Sequence, residues 1–180
     1  ISMVTAGDGF RLPDISTENC VQCGKCEKVC PVLHTQIVST NTLAFAIKNR
    51  NEKERKDSTS GGIFSLLAKF VLNQNGIVFG AAYSENFEVR HVAITDSNRL
   101  SLLQGAKYTQ SIVGDAFEEA KKELETGRTV LFSGTPCQCA GLKSFLGKTY
   151  DNLLTMDLIC HGVPSPKVWQ AYIDYRSQKE

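Results

Sequence analysis

Four cysteines lie close together near the start of the chain, at Cys20, Cys23, Cys26 and Cys30, and Pro31 follows the last of them. The spacing C-x2-C-x2-C-x3-C-P is typical of a 4Fe–4S cluster site, because the irons of such a cluster take soft thiolate ligands and a complete cluster needs four. A zinc ribbon is the alternative, but it uses two separated C-x2-C pairs, and this segment has one compact group. The spacing therefore favours an iron–sulfur cluster over zinc.

The fourth cysteine bears on how many clusters the segment serves. In two-cluster ferredoxins, the last cysteine of such a run binds the other cluster. The segment before Cys20 resembles the stretch that joins the two motifs, with residues 1–3 as the strand that follows a first motif. We therefore expect a further motif upstream. Without it, either Cys30 would complete the site of its own motif by rearrangement, or that site would be empty.

Two further cysteines, Cys137 and Cys160, stand at the ends of two predicted strands, in "FSGTPCQC" and "DLICHGVP". Ligands of open α/β sheets bind at the carboxyl ends of the strands, so thiols at two neighbouring strand ends would share one site. The alternative is that each is a small apolar residue, as free cysteines often are. Cys139 is predicted to face the core. His161 suits either a binding pocket or a helix cap.

Three polar turns supply candidate cofactor-binding residues. "DSTSGGIF" puts small residues before a helix, where backbone N–H groups can approach a phosphate, although the same residues suit an ordinary capped helix start. "QGAKYTQS" offers a cation for a phosphate, a ring for stacking and two hydrogen-bonding side chains, although an ordinary loop has the same composition. The third turn follows the predicted strand 128–134. The candidates are Ser60, Gly61, Gly62, Lys107, Tyr108, Gln110, Ser111, Thr135, Pro136 and Gln138.

The elements that must position these residues alternate between strand and helix. Strands are predicted over 42–49, 77–83, 89–95, 128–134 and 153–160, and helices over 60–76, 97–104, 114–127, 136–146 and 166–177. The first helix is predicted to begin with Ser60 as N-cap and to end at Gly76, after a charged connector over 49–60.

This alternation predicts an α/β fold, with an α+β arrangement as the alternative. We expect a small cluster-binding segment at residues 1–38 and a mixed, partly parallel sheet with flanking helices at residues 39–180.

Composition excludes several classes of protein. Lys and Arg total 20 and Asp and Glu total 19, so no strong field attracts nucleic acid or a membrane surface, and no apolar run is long enough to span a membrane. The odd count of 7 cysteines does not suit a secreted disulfide framework, so we predict a reducing, cytoplasmic compartment. Because the chain starts at Ile1 and stops within a helical pattern, we expect a fragment of a longer protein.

Taken in order, these motifs resemble one family, the beta subunit of coenzyme F420-reducing hydrogenase and its dehydrogenase relatives. The segments that carry the resemblance are "STSGGIF", "GAKYTQS", "FSGTPCQ" and "DLICHGVPSP", preceded by the ferredoxin-type cysteine motif. The resemblance covers nearly the whole chain. Members of this family are iron–sulfur flavoproteins that contain FAD.

The resemblance also implies roles for individual residues. Ser60, Gly61 and Gly62 would lie along the FAD phosphates, and the FAD would be lined by Lys107, Tyr108, Gln110 and Ser111. Cys137 and Cys160 would be two ligands of a cluster within the flavin domain. In the family a downstream pair of cysteines supplies the other ligands, and no such pair stands before Glu180.

The function that the resemblance implies is an oxidoreductase that passes electrons between 4Fe–4S clusters and FAD to a two-electron acceptor, either a deazaflavin or another small molecule. A flavin suits this role because it exchanges electrons in pairs or singly, whereas a cluster carries one. Its partners would be a redox protein or hydrogenase or dehydrogenase subunits. The alternatives are an electron-relay subunit without a substrate of its own and a zinc-stabilised interaction module.

Overall fold

A computed structural model describes residues 1–30, 33–34 and 42–179. The chain begins with an antiparallel hairpin of β1 (Ser2–Thr5) and β2 (Arg11–Asp14), and the short helix α1 (Lys25–Lys28) follows within the cysteine-rich segment. Two helices, α2 (Glu52–Lys56) and α3 (Ile63–Asn73), come next. The predicted boundary between residues 38 and 39, and Pro31 of the cysteine motif, lie outside the described residues.

A four-stranded sheet forms the centre of the fold. Its strands are β3 (Ile77–Tyr83), β4 (Val89–Ile94), β5 (Val130–Gly134) and β6 (Leu153–Asp157), in the order β4-β3-β5-β6. β3 pairs antiparallel with β4 and parallel with β5, which in turn pairs parallel with β6. The predicted mixed, partly parallel sheet is therefore confirmed.

Helices cover both faces of the two central strands. The remaining elements among the described residues are a 3₁₀ helix (Ser97–Leu102), α4 (Ala116–Glu125), α5 (Pro136–Leu146) and α6 (Pro166–Ser177). Alternate side chains of a strand point to opposite faces, so Phe132 packs with α4 and α5 while Leu131 packs with α3 and the 3₁₀ helix. All five residues of β5 are buried, as expected of a parallel strand between two helical layers. Within the described ranges, none of the helices combines the length and apolarity needed to cross a membrane.

Both predicted ends of helix 60–76 need correction. The N-cap is Gly62, at φ 74°, and not Ser60, because the chain must turn through a left-handed conformation before the helix begins. At the other end, the left-handed residue is Asn75, at φ 58°, and not Gly76. Gly76 is needed for a different reason, since a Cβ there would come within 2.4 Å of the Val71 side chain.

The predicted strand over 42–49 is wrong. Residues 42–49 are all described and form no strand, because no neighbouring strand pairs with them, and residues 42–48 are exposed. The segment is held at its end, where the buried Asn49 donates its backbone N–H to the Gly61 carbonyl at 2.7 Å. The connector that follows contains the unpredicted helix α2, whose N-cap Asn51 accepts a hydrogen bond from the Glu54 amide.

Most other predicted elements agree with the structure. The strand 77–83 and the helices 136–146 and 166–177 match to the residue. β4, β5 and α4 lie within their predicted ranges. The helix predicted over 97–104 is a shorter 3₁₀ helix, and the strand predicted over 153–160 ends at Asp157, which pairs with the last residue of β5.

Candidate cofactor cavity

A cavity of about 1000 Å³ lies beside the carboxyl ends of β5 and β6. Parallel pairing of Gly134 with Asp157 brings these two strand ends together. Eight of the ten predicted cofactor-binding residues line this one cavity, together with Cys137 and Cys160: Ser60, Gly61, Gly62, Lys107, Gln110, Ser111, Thr135 and Gln138. Tyr108 and Pro136 are not among the lining residues, and the Tyr108 side chain is 71% exposed.

The turn before α3 forms one wall of the cavity. Gly61 is packed tightly, since a Cβ there would come within 2.7 Å of the Ile47 carbonyl oxygen. No side chain caps the α3 N-terminus, and no acidic residue stands in its first turn. The first N–H groups of a helix have no partner within the helix and carry a partial positive charge. This end of α3 can therefore accept an anionic group from the cavity.

Lys107 lies at the carboxyl end of the 3₁₀ helix. Its Nζ donates to the Gln104 carbonyl at 2.7 Å and to the Leu102 carbonyl at 3.2 Å, an arrangement in which a cation complements the negative end of a helix. The side chain is half-buried, and burial lowers the pKa of Lys107 to about 8. A cavity-lining ammonium is thus held in place by backbone carbonyls.

The segment that carries Gln110 and Ser111 runs along the free edge of β4. Ile112 forms a parallel bridge with Arg90: the Ile112 amide donates to the Val89 carbonyl at 2.8 Å, and the Ile112 carbonyl accepts from the His91 amide at 2.9 Å. This short addition to the sheet explains why a loop of ordinary composition has a defined position next to the cavity.

His91 fastens this segment to the end of β5. Its Nε2 lies 3.2 Å from the Ser133 carbonyl oxygen, and its Nδ1 lies 2.6 Å from the Ser111 hydroxyl. Because a carbonyl can only accept, Nε2 carries the hydrogen and, in neutral His91, Nδ1 accepts from Ser111. The ring stacks on Phe132 at 5.2 Å and 8°. Burial lowers the pKa of His91, although the bond to Ser133 acts in the opposite direction.

Local sequence patterns do not reveal the role of His91, since its neighbours predict only a residue within the strand 89–95. A signal was present, because His91 lies at a buried position of β4, two residues after the buried Val89. A titratable group in the apolar register of a strand needs partners for its polar atoms. Those partners come from segments 20 and 42 residues away, which no local pattern shows.

A capping box extends the network to α5. Gln138 accepts a hydrogen bond from the Thr135 amide at 2.9 Å, and the Thr135 side chain in turn receives the amide of Gln138. The Gln138 Nε2 also donates to the Ser111 hydroxyl at 3.5 Å. Gln138 therefore contacts two other predicted binding residues, Thr135 and Ser111, in the cavity wall.

Cys137 and Cys160 both lie at this edge of the sheet and are both exposed. The Cys137 sulfur lies 3.1 Å from the Thr135 hydroxyl, and the Cys160 sulfur accepts the Gly162 N–H at 3.4 Å. Such donors are typical around thiolates that bind metal clusters. The prediction that the two thiols lie at neighbouring strand ends is confirmed, whereas their role as ligands stays a prediction.

The remaining candidates near this edge behave differently. Cys139 is buried in the core, as predicted, and burial raises the pKa of its thiol to about 11. His161 is exposed and is not among the lining residues, and the N-cap of α6 is Ser165. His161 is therefore neither the cap of that helix nor part of this cavity wall.

The four cysteines of the amino-terminal motif are at the surface. Cys20 and Cys23 are exposed, and Cys26 and Cys30 are half-exposed. Gln22 and Gly24 both take left-handed conformations, at φ 52° and 66°, so the chain between these thiols curls tightly. In the part of the chain that the structure describes, no three His, Cys, Asp or Glu side chains are gathered closely enough to hold a metal ion. The donor set fits a 4Fe–4S cluster by its chemistry.

Comparison with known proteins gave matches to family models and to relatives of known identity. Residues 12–37 match the family model described as 4Fe-4S binding domain, and residues 127–180 match the model for the C terminus of the beta subunit of coenzyme F420 hydrogenase/dehydrogenase. The chain is 26% identical over 144 residues to the F subunit of F(420)H(2) dehydrogenase from Methanosarcina mazei, and the match covers 78% of this chain and 41% of that protein.

A solved structure shares the fold. It is a chain of the F420-reducing [NiFe] hydrogenase complex from Methanosarcina barkeri, with a TM-score of 0.55 and 17% identity over 77% of this chain and 52% of the other. This chain therefore spans less than half of its curated relative and about half of the solved one.

Proposed function

We propose that the chain, whose residues 127–180 match the beta-subunit family of coenzyme F420 hydrogenase/dehydrogenase and whose residues 12–37 match a 4Fe–4S binding domain, acts as an iron–sulfur flavoprotein oxidoreductase. In this proposal, electrons pass between 4Fe–4S clusters and FAD to a two-electron acceptor, a deazaflavin or another small molecule. The partners are a redox protein or further hydrogenase or dehydrogenase subunits.

The observation that carries the proposal is the gathering of distant candidates in one cavity. Residues between Ser60 and Cys160, which stand 100 positions apart in the sequence, line the same space. Its volume of about 1000 Å³ is at the upper end of the range for small-molecule and cofactor sites. A cavity of this size at the carboxyl ends of parallel strands suits a large cofactor such as FAD.

The chain's own residues bind and orient the cofactor in this proposal. The turn Ser60, Gly61 and Gly62 and the uncapped end of α3 receive the phosphates, since their N–H groups and the helix dipole favour negative charge. Ser111 and Gln138 supply fixed hydrogen-bonding groups. When bound, FAD would supply the exchange between paired and single electrons.

The thiols are assigned to two cluster sites. Cys20, Cys23, Cys26 and Cys30 form the donor set of the amino-terminal segment. When a second motif is present, each cluster takes three sulfurs from one motif and one from the other. Cys137 and Cys160 contribute two ligands to a cluster next to the cavity. The Gly162 N–H that reaches the Cys160 sulfur would help to set the potential of that cluster.

The test is the cofactor content of the full-length protein, purified without oxygen. We expect acid-labile sulfide, iron and a releasable flavin, with flavin bands beside the cluster absorbance in the visible spectrum. Iron and sulfide without flavin, before and after incubation with FAD, would favour the electron-relay subunit instead. Zinc without iron or sulfide would favour the interaction module, and either result would overturn the proposal.

A further inference from the structure

Gln110 joins two parts of the molecule that the sequence keeps far apart. Its Oε1 accepts the Arg11 backbone N–H at 2.9 Å, and its Nε2 donates to the Arg11 carbonyl at 3.2 Å. Both bonds are partly buried and link residues 99 positions apart. The Gln110 amide thus bonds to both backbone polar groups of Arg11, as a residue of a neighbouring strand would do.

The position of this pair ties the hairpin to the cavity wall. Arg11 begins β2, which leads within six residues of its end to the first cysteine of the cluster motif. Gln110 lies on the segment that His91 and Ile112 fix to β4. Arg11 and Gln110 both line the large cavity and also a second cavity of about 650 Å³, so the pair lies between the two.

Other contacts hold the turn of the hairpin against the start of α6. The Lys167 Nζ donates to the Gly7 carbonyl at 3.0 Å. Gly9 is buried at φ 90°, and a Cβ there would come within 2.2 Å of the Lys167 Cβ. These contacts hold the turn, but they lie outside the large cavity, whereas the Gln110 pair lies on its wall.

We propose that Gln110 is a positioning residue, a latch that fixes the hairpin preceding the cluster motif against the wall of the cofactor cavity. By fixing the hairpin, the latch limits variation in the separation between the cluster and the cofactor, to which electron transfer is sensitive because its rate falls steeply with distance. The electron-transfer part of this inference rests on the proposed function, whereas the latch itself does not. It also gives Gln110 a role that the family resemblance did not imply, because both ends of its amide engage Arg11.

Amide hydrogen exchange in the full-length protein tests the latch directly. Replacing Gln110 with Leu removes both bonds, and we expect the Arg11 amide to exchange about tenfold faster or more. Gln110→Glu keeps an acceptor for that amide and loses the donor, so it should give an intermediate rate. Gln104→Leu is the matched control, since Gln104 also lines the cavity but bonds to Ser65 instead of the hairpin. Protection of Val130 in β5 reports whether each variant is folded.

A second measurement tests the consequence for electron flow. In protein that holds iron and flavin, Gln110→Leu should slow single-turnover transfer between flavin and clusters several-fold when the rates are compared at matched iron and flavin contents, and Gln110→Glu should restore part of the rate. Equal Arg11 exchange in wild type and Gln110→Leu would overturn the latch. Faster exchange with an unchanged transfer rate would overturn its electron-transfer role. A protein without flavin would defeat the proposed function, while the exchange result would still decide the latch.

Discussion

The cysteine-rich segment (residues 20–30) and the cavity region (the central sheet with its helices, residues 60–177) carry their chemistry in opposite ways. In the first, four thiols occupy eleven successive positions, on a stretch whose helix α1 buries no residue. In the second, the candidate residues are spread over a hundred positions, and a sheet whose central strand β5 is fully buried brings them together. The comparison teaches that local spacing suffices where a metal cluster organises its own ligands, whereas a large cofactor needs a site that packing has already built.

The largest expected effect is a loss of folding stability when a core residue of the central sheet is truncated. Phe132 is fully buried in β5 and contacts Phe79, Phe117 and the His91 ring. Phe132→Ala should lower the free energy of unfolding by about 3–5 kcal/mol, because it leaves a cavity between β5 and the helices above it. Chemical denaturation followed by circular dichroism measures this.

The matched change in the other region is Cys23→Ser. Cys23 is exposed, so this variant should lose iron from the amino-terminal site while its denaturation midpoint stays within experimental error of wild type. If Cys23→Ser unfolded the sheet, or if Phe132→Ala did not weaken it, the contrast between the two regions would be wrong.

A smaller effect is expected where the two regions meet. Gly9→Ala places a Cβ at a left-handed position and against Lys167, so it should weaken the seating of the hairpin by about 1–3 kcal/mol. The measurement is limited proteolysis or hydrogen exchange of residues 1–14. Gly7→Ala is the control two positions away, since nothing lies within 4 Å of a Cβ there. Equal behaviour of the two variants would show that the hairpin is not seated through Gly9.

The smallest effect is a pH dependence confined to the cavity region. Because the pKa of His91 is lowered in the folded protein, the unfolded chain binds a proton more readily. The stabilisation is therefore fully present above the unfolded pKa of about 6.5 and is lost as the pH falls through the folded pKa. His91→Phe, which keeps a ring on Phe132, should flatten the stability profile below pH about 6.5. Urea midpoints at several pH values measure this, and His161→Phe, at an exposed position, should leave the wild-type profile unchanged.

Residue patterns were sufficient to predict the elements of the central sheet and the places of Cys137 and Cys160 at neighbouring strand ends. The continuous run of apolar and small residues in 77–83 and the Pro-initiated helix at 136–146 carry local signals of their own, and both match the structure to the residue. The strand predicted over 42–49 shows the limit of such signals, because a strand needs a neighbour to pair with and the sequence does not say whether one is near. The N-cap at Gly62 was missed because serine is the commoner cap and the left-handed turn depends on the close approach of residues 47–49.

What the order of residues determined by itself was the identity of the donor groups: which thiols, amides and glycines are present and which lie close together along the chain. Tertiary structure decided which distant groups meet. Parallel pairing of β5 with β6 put Cys137 and Cys160 at one edge, the bridge at Ile112 brought Ser111 to His91, and Gln110 found Arg11. The physical reason is that pairing and packing act between segments far apart in sequence, where no periodicity records them.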